Sequence, residues 1–270
     1  MGYSDACLLA VLQGLTEFLP VSSSGHLVLV QYFLGSSGEI DLLYNIVLHV
    51  ATAVALLTYF RRDLYGLCTG LIRTAPPSPS VFSGRERQTV FHIVLALIPT
   101  ALLGLYIDTL FIPFFLRPDV VGCMLLLTGC LLWWGKGQGA RTPTTQMHAL
   151  HALVIGVLQG LAVIPGISRS GVTITGGILL GLKRELAARF SLLISIPAIL
   201  GATLLEVSKL EEQALPPLGP YVAGMVVAGS VGYAAIALIL RLVQQERFHL
   251  FAWYLWPLGG LVSIGFHLLG

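Results

Sequence analysis

Residues 11–27 read VLQGLTEFLPVSSSGHL, and residues 157–173 read VLQGLAVIPGISRSGVT. When Val11 is placed over Val157, the two stretches align without a gap, and the pentapeptide VLQGL opens both of them. The same alignment pairs Ser22 with Ser168, Ser24 with Ser170 and Gly25 with Gly171. Self-similarity at one fixed offset indicates an internal repeat. We predict two repeat halves, at about residues 1–135 and 150–270, within a single membrane domain covering residues 1–270.

The composition predicts a membrane protein. Hydrophobic residues make up 56% of the chain and charged residues 10%, whereas soluble domains carry roughly 25% charged residues. Uncharged stretches approach the length of about 20 residues that a helix needs to cross hydrocarbon. They are residues 42–60, 89–106, 120–134, 190–205, 221–240 and 250–269. Because these stretches are continuously apolar, they favour spanning helices over the alternating strands of a membrane barrel.

Other classes of protein are disfavoured by charge and cysteine spacing. The net charge is +2, and the basic residues fall in loops where membrane topology explains them, so no nucleic-acid partner is indicated. The cysteines lie in apolar sequence without CxxC spacing, which disfavours a zinc site and a disulfide framework. They are Cys7, Cys68, Cys123 and Cys130.

Loop charges predict the topology. Residues 61–87 form the densest basic loop, which the positive-inside rule places in the cytoplasm. Residues 6–34 and 150–182 each hold two short apolar runs around a segment rich in Gly, Ser and Pro; we call them the first hairpin and the second hairpin. The charge rule brings the hairpins in from opposite sides, so they should meet near the middle of the membrane. The expected fold is all-α, with six transmembrane helices and two re-entrant helical hairpins in an inverted-topology repeat.

The first hairpin carries a set of polar residues suited to an anion. Gln13 and Glu17 are spaced i, i+4 and therefore lie on one helix face. Pro20 ends that helix, and residues 22–25 then offer hydroxyl and backbone N–H groups at the start of the next apolar run. Hydrogen-bond donors at the start of a helix form a natural anion site.

The second hairpin repeats this arrangement and adds Arg169 between Ser168 and Ser170, with Thr173 following. A guanidinium matches phosphate oxygens bidentately. Since a buried charge costs roughly 2.5 to 3.5 kcal/mol on insertion scales, Glu17 and Arg169 each need a partner or a task. Either they form an ion pair that only joins the repeats, or together the hairpins make a phosphate cradle. We favour the cradle, because an ion pair alone requires neither the serines nor His26.

His26 is a candidate nucleophile or general acid and base, because an imidazole titrates near neutral pH. Its position in the first hairpin distinguishes it from His49, His92 and His267, which we interpret as packing residues of spanning helices.

These motifs together resemble the undecaprenyl-diphosphate phosphatase family, also called bacitracin-resistance proteins. The resemblance covers essentially the whole chain and is carried by an [E/Q]xxxE motif at residues 13–17, PVSSSGH at residues 20–26 and PGxSRSxxT at residues 165–173. It implies a hydrolase of the bacterial inner membrane that removes the terminal phosphate of a polyprenyl diphosphate and recycles the lipid carrier for cell-wall synthesis. It also implies a need for a divalent cation, Mg or Ca.

The resemblance assigns roles to individual positions. Glu17, Ser23, His26 and Arg169 match the catalytic positions, and Ser22, Ser168, Ser170 and Thr173 match supporting phosphate contacts. From their place in the first hairpin we add Gln13, Ser24 and Gly25 as phosphate contacts. Glu17 is the candidate metal ligand; Gln13 stands where many members have a further glutamate, so a site with two carboxylates is not expected. The attacking group is water, Ser23 or His26.

Three further predictions concern mechanism class, assembly and sidedness. A flippase or transporter is the alternative function, because inverted repeats with broken helices are typical of transporters. Small residues at Gly224, Ala228 and Gly232 predict a close-packing face, which is either internal or the seam of a homodimer. The first hairpin should open the site toward the periplasm, because both of its ends fall outside by the charge rule.

Overall fold

The computed structural model describes residues 1–33, 42–72, 81–110, 112–137, 143–210 and 218–269, and within these ranges every regular element is a helix. The first half holds α1 (Tyr3–Phe18), α2 (Ser23–Phe33), α3 (Leu42–Tyr59), α4 (Arg61–Ile72), α5 (Glu86–Leu110), α6 (Ile112–Phe115) and α7 (Pro118–Trp134). The second half holds α8 (Ala149–Leu161), α9 (Arg169–Leu179), α10 (Arg184–Val207), α11 (Leu218–Gln244), a short 3-10 helix (Phe248–Phe251) and α12 (Ala252–Leu269). The all-α prediction is thereby confirmed.

Four helices of the described part, α3, α5, α10 and α11, are long and apolar enough to cross a membrane. They contain four of the predicted spans, and the chain is a multi-pass membrane protein. The other two predicted spans fall in α7, which has 17 residues, and α12, which has 18. A count of six spans stays a prediction.

The hairpins are broken helices, as their sequences predict. The first consists of α1, with 16 residues, and α2, with 11. The second consists of α8, with 13 residues, and α9, with 11. All four helices are shorter than the roughly 20 residues of a spanning helix, and the helix is interrupted at residues 19–22 and 162–168.

Each hairpin packs on a long helix of the other half. α1 runs parallel to α11, with Tyr3 facing Gly219 near their starts and Gly14 against the Ala228 carbonyl further along. α8 runs parallel to α5 in the same way, because Gly156 lies on Ala96 and Gly160 lies on Leu103. The two halves are therefore interlocked rather than placed side by side.

The remaining contacts fix which helices begin at the same end of the molecule. α3 is parallel to α11, with Tyr44 against Gly224 and Thr52 near Gly232. Just after α3, Asp63 pairs with Arg189 near the beginning of α10 at 3.1 Å, so α3 and α10 are antiparallel. Thus α1, α3 and α11 start at one end, and α10 starts at the other.

α10 starts at the same end as α5 and α8. The pairing of Lys209, just after α10, with Asp108 near the end of α5 at 3.1 Å brings the last turns of α5 and α10 together. Thus α1, α3 and α11 start at one end of the molecule, and α5, α8 and α10 start at the other.

The small residues of α11 are used inside the chain. Gly224 meets the Tyr44 ring, Ala228 meets Gly14, and Gly232 meets Phe18. This face is covered by α1 and α3, which favours internal packing over a dimer seam among the two alternatives.

The tight contact between α8 and α5 generates a stability prediction. A methyl group at position 156 would collide with the Ala96 carbonyl, and backbone cannot move aside as a flexible side chain can. We expect Gly156→Ala to destabilise the fold by roughly 1 to 3 kcal/mol, the usual cost of overpacking. Thermal unfolding in detergent measures the effect.

The matched control is Gly201→Ala, because Gly201 is helical and has nothing within 4 Å of an added methyl. Replacing a helical glycine by alanine at an open position should leave stability unchanged or raise it by up to about 1 kcal/mol. Equal melting temperatures for the two variants would contradict the close approach of α8 to α5.

Candidate functional site

The site centres on the Glu17 carboxylate in the last turn of α1, which is buried. Its Oε2 accepts hydrogen bonds from Gln13 Nε2 at 2.9 Å and from Ser23 Oγ at 2.8 Å. Its Oε1 pairs with the Arg169 guanidinium. Gln13 lies one turn before Glu17 and contacts it, so the prediction that they share a helix face is confirmed. Residues of both hairpins contact the same carboxylate.

The first residues of two helices contact this carboxylate. Ser23 is the first residue of α2 and Arg169 is the first residue of α9, and both side chains contact Glu17. The first-turn N–H groups of a helix lack intrahelical partners and carry partial positive charge, so each terminus attracts an anion. The starts of two helices and one guanidinium therefore lie at a single anionic group.

The repeated serines cap these two helices with the same hydrogen bond. Ser22 Oγ accepts from the Gly25 N–H at 3.3 Å, and Ser168 Oγ accepts from the Gly171 N–H at 3.2 Å. A serine before the first helical turn stabilises a helix by satisfying one of its free N–H groups. The residues that match across the repeat are thus those that shape the two helix starts.

The turns of the two hairpins contact each other directly. The Gly166 N–H donates to Ser22 Oγ at 3.0 Å, and a methyl group on Gly25 would lie only 2.9 Å from that same nitrogen. Ser22 has a φ of 69° and Gly166 a φ of 94°. Residues other than glycine rarely adopt this left-handed backbone region. Ser22 therefore lies in a strained turn and links the two hairpins, a structural role that the sequence did not predict. Its role in phosphate binding stays a prediction.

Thr128 of α7 forms hydrogen bonds with the turn of the second hairpin. Its buried Oγ1 donates to the Gly166 carbonyl at 2.8 Å and accepts from the Ser168 N–H at 3.2 Å. One hydroxyl thus satisfies a donor and an acceptor in the non-helical turn. Such turns are tolerated at membrane depth only when protein groups pair their backbone.

The site lies halfway along two helices of spanning length. His49 Nε2, near the middle of α3, is 4.0 Å from Glu17 Oε2. The carbonyl of Ser195, near the middle of α10, accepts from Arg169 Nη1 at 3.4 Å. The interpretation of His49 as a packing residue is therefore incomplete, since its ring borders the site.

His26 is buried and bonded at both ring nitrogens. Its Nδ1 lies 2.8 Å from the Ser22 carbonyl, and its Nε2 lies 2.8 Å from the hydroxyl of Tyr254 in α12. The structure thus places His26 beside the first hairpin turn and gives it a partner from the other half of the chain.

The other predicted phosphate contacts lie around the same turns. Ser24 Oγ is 3.5 Å from Ser22 Oγ, and Ser170 Oγ donates to the Leu19 carbonyl at 3.3 Å. Thr173 is fully buried and donates to the Arg169 carbonyl at 2.7 Å, with Ser191 of α10 as a second partner. These hydroxyls hold the two turns in place, and each must exchange a bond to contact a ligand.

Sequence reasoning missed several residues of the site. Ser191 and Ser195 line a small pocket beside the Glu17–Arg169 pair, and their i, i+4 spacing within an apolar span was a usable signal. Thr128 and Tyr254 carried no such signal, because single threonines and tyrosines are ordinary in membrane helices.

The residues beside Glu17 fit a hard divalent cation. Gln13 is fully buried, and its Oε1 has no hydrogen-bond partner within the part of the chain that the structure describes. A carboxylate and an amide oxygen are ligands that Mg²⁺ and Ca²⁺ accept, with water and substrate oxygens completing the shell. No cluster of three His, Cys, Asp or Glu side chains that could hold a metal ion exists among the described residues. These residues therefore do not form a complete coordination shell from such side chains alone.

Comparison with known proteins gives consistent results. The family profile described as bacitracin resistance protein BacA matches residues 6–261. An undecaprenyl-diphosphatase of Desulfosudis oleivorans is 44% identical over 264 residues, which cover 94% of this chain and 95% of the relative. Proteins of the same name from Alkaliphilus metalliredigens and Geobacter sulfurreducens are 38% and 39% identical, covering 96% and 97% of this chain and 97% of each relative.

Proposed function

This chain belongs to the bacitracin resistance protein family, and we propose that it hydrolyses undecaprenyl diphosphate to undecaprenyl phosphate and inorganic phosphate. The observation that carries the proposal is the convergence of two helix N-termini and Arg169 on one buried carboxylate. That set of donors suits a phosphoryl group. The reaction regenerates a lipid carrier for cell-wall synthesis in the bacterial inner membrane.

Substrate binding requires an exchange of anions. In the free enzyme the Glu17 carboxylate pairs with the Arg169 guanidinium and accepts a hydrogen bond from the Ser23 hydroxyl. A diphosphate that enters the site offers more oxygens and more negative charge, so it displaces Glu17 from Arg169. The terminal phosphate then lies between the first turns of α2 and α9, where N–H groups at the helix starts and the guanidinium stabilise it and the charge that develops during transfer.

The contact between Ser23 and Glu17 favours Ser23 among the three candidate attackers. At 2.8 Å the hydroxyl already donates to Glu17 Oε2, which is the arrangement of a nucleophile with its base. In the proposed step the hydroxyl proton passes to Glu17, Oγ bonds to the terminal phosphorus, and the bond from that phosphorus to the bridging oxygen breaks. Water then cleaves the phosphoserine, releasing inorganic phosphate and restoring Ser23. His26 is a less direct attacker, because both of its ring nitrogens are engaged.

The proposed cofactor is Mg²⁺ or Ca²⁺. Glu17, once it has left Arg169, and Gln13 Oε1, which has no hydrogen-bond partner among the described residues, would hold it. A bound cation supplies charge neutralisation for the phosphate oxygens.

For the membrane arrangement, we propose six spans, made by α7 and α12 together with the four long helices, and two hairpins that enter without crossing. The short hairpin helices support this. The repeat relates α1 to α8 and α3 to α10, and the members of each pair start at opposite ends of the molecule, which supports an inverted repeat. The site then opens to the periplasm through the first hairpin.

Phosphate release from purified protein tests the function. We expect release from a C55 diphosphate in detergent with Mg²⁺, and a loss of at least about tenfold in Arg169→Lys, because a point charge cannot replace the bidentate fork. Arg117→Lys is the matched control: Arg117 is exposed and pairs with Asp119, so activity should be unchanged.

The same assay separates the rival activity and tests the cofactor. A flippase without hydrolytic activity releases no phosphate, so an inactive wild-type protein with a normal melting temperature would contradict the proposed function. Chelator should abolish release and added Mg²⁺ or Ca²⁺ should restore it; full activity in chelator would contradict the cation.

Sidedness is tested by cysteine labelling. With Cys7, Cys68, Cys123 and Cys130 replaced, Ser24→Cys should react with a membrane-impermeant thiol reagent added outside spheroplasts, because the first hairpin opens outward in the proposed arrangement. Bound substrate should slow the reaction by covering the turn. Labelling is measured by mass spectrometry.

Two single-cysteine controls bracket this experiment. Ser208→Cys, exposed after α10, should label from outside, and the exposed native Cys68 of α4 should label only in inverted vesicles. If Ser24→Cys follows the pattern of Cys68, the periplasmic opening is wrong.

A further inference from the structure

The state of the His26 ring follows from its two partners. A carbonyl oxygen can only accept, so Nδ1, at 2.8 Å from the Ser22 carbonyl, carries a hydrogen. In the neutral ring the lone pair is then on Nε2, and the Tyr254 hydroxyl at 2.8 Å donates to it. The two rings are also stacked, with centroids 5.7 Å apart and planes at 14°.

These contacts fix more than the protonation of one nitrogen. The hydrogen bonds at opposite sides of the imidazole prevent the ring from flipping, and the stacking restrains its tilt. A tyrosine hydroxyl can also accept, so the same contact survives when His26 gains a proton at Nε2. Serine is too short to reach from a neighbouring helix, and phenylalanine offers no hydroxyl.

We propose that Tyr254 is a positioning residue for the reaction, which donates to Nε2 and thereby fixes the orientation of the His26 ring. The inference rests on the proposed function and deepens it. Tyr254 acts through His26, and from there through the Ser22 carbonyl on the strained turn that joins the hairpins. α12 thereby takes part in the site although it contributes no contact to Glu17 among the described residues.

Tyr254→Phe tests the proposal with the least change in shape. The ring that stacks on His26 remains, and only the hydroxyl is lost. We expect kcat to fall roughly tenfold, as for the loss of one hydrogen bond to a buried group, with KM within about twofold because the phosphate contacts are intact. Tyr233→Phe is the matched control, since Tyr233 is 42% exposed, Tyr254 is 49% exposed and both lie on membrane helices; it should keep full activity.

Two readouts separate positioning from a general loss of stability. In ¹⁵N spectra of histidine-labelled protein, the His26 signals, identified by their absence in His26→Gln, should show the Nδ1–H tautomer in both the wild type and Tyr254→Phe, because the Ser22 carbonyl sets it. The Nε2 signal should move downfield in Tyr254→Phe, because this acceptor nitrogen loses its hydrogen bond. In the His26→Gln background, the added Tyr254→Phe change should have no further effect on residual turnover, because residues that act through one another are not additive.

An unchanged Nε2 signal in Tyr254→Phe, or an independent tenfold loss in the His26→Gln background, would overturn the proposal. The spectra need no turnover, so they test the Tyr254 contact even if the wild-type protein releases no phosphate, an outcome that would refute the proposed function instead.

Discussion

The structure depends on one ion pair, Glu17 with Arg169, buried where the two hairpins meet. Each charge stabilises the other, because an unpaired charge at this depth costs several kcal/mol. The pair is shared between the repeat halves, one residue from α1 and one from α9. Docking of the hairpins and assembly of the site are therefore the same event.

The sequence similarity of the two hairpins explains how they share a helix start and where they differ. Ser22 and Ser168 cap α2 and α9 in the same way, so the repeat supplies two equivalent helix starts. The chemistry comes from positions that differ, since Glu17 falls on Val163 and Arg169 falls on Ser23 in the alignment of the halves. One hairpin thus brings the carboxylate and the hydroxyl, and the other brings the guanidinium.

Periodicity and motif spacing predicted the helical class, the broken hairpins and the grouping of Gln13, Glu17 and Ser23, because these features depend on residues close in sequence. Arg169 was placed with them because the repeat and the loop charges bring the two hairpins together. These patterns did not predict Thr128, His49 or Tyr254 at the site. Those residues reach it from α7, α3 and α12, and their position depends on how long helices pack across the two halves. Ser22 was expected to contact phosphate, and that role stays a prediction. Its hydroxyl also accepts a hydrogen bond from the Gly166 N–H of the second hairpin, a contact that no local pattern encodes.

The central claim is that Glu17 occupies the place of a phosphate and yields it to the substrate. The most direct test is the affinity of a polyprenyl methylenediphosphonate, which cannot be hydrolysed at its bridge, measured by equilibrium dialysis in detergent with chelator present. Glu17→Gln keeps the shape of the side chain but frees the Arg169 charge, so the account predicts binding at least about tenfold tighter than to the wild type, equivalent to roughly 1.4 kcal/mol. Equal or weaker binding by Glu17→Gln would contradict it.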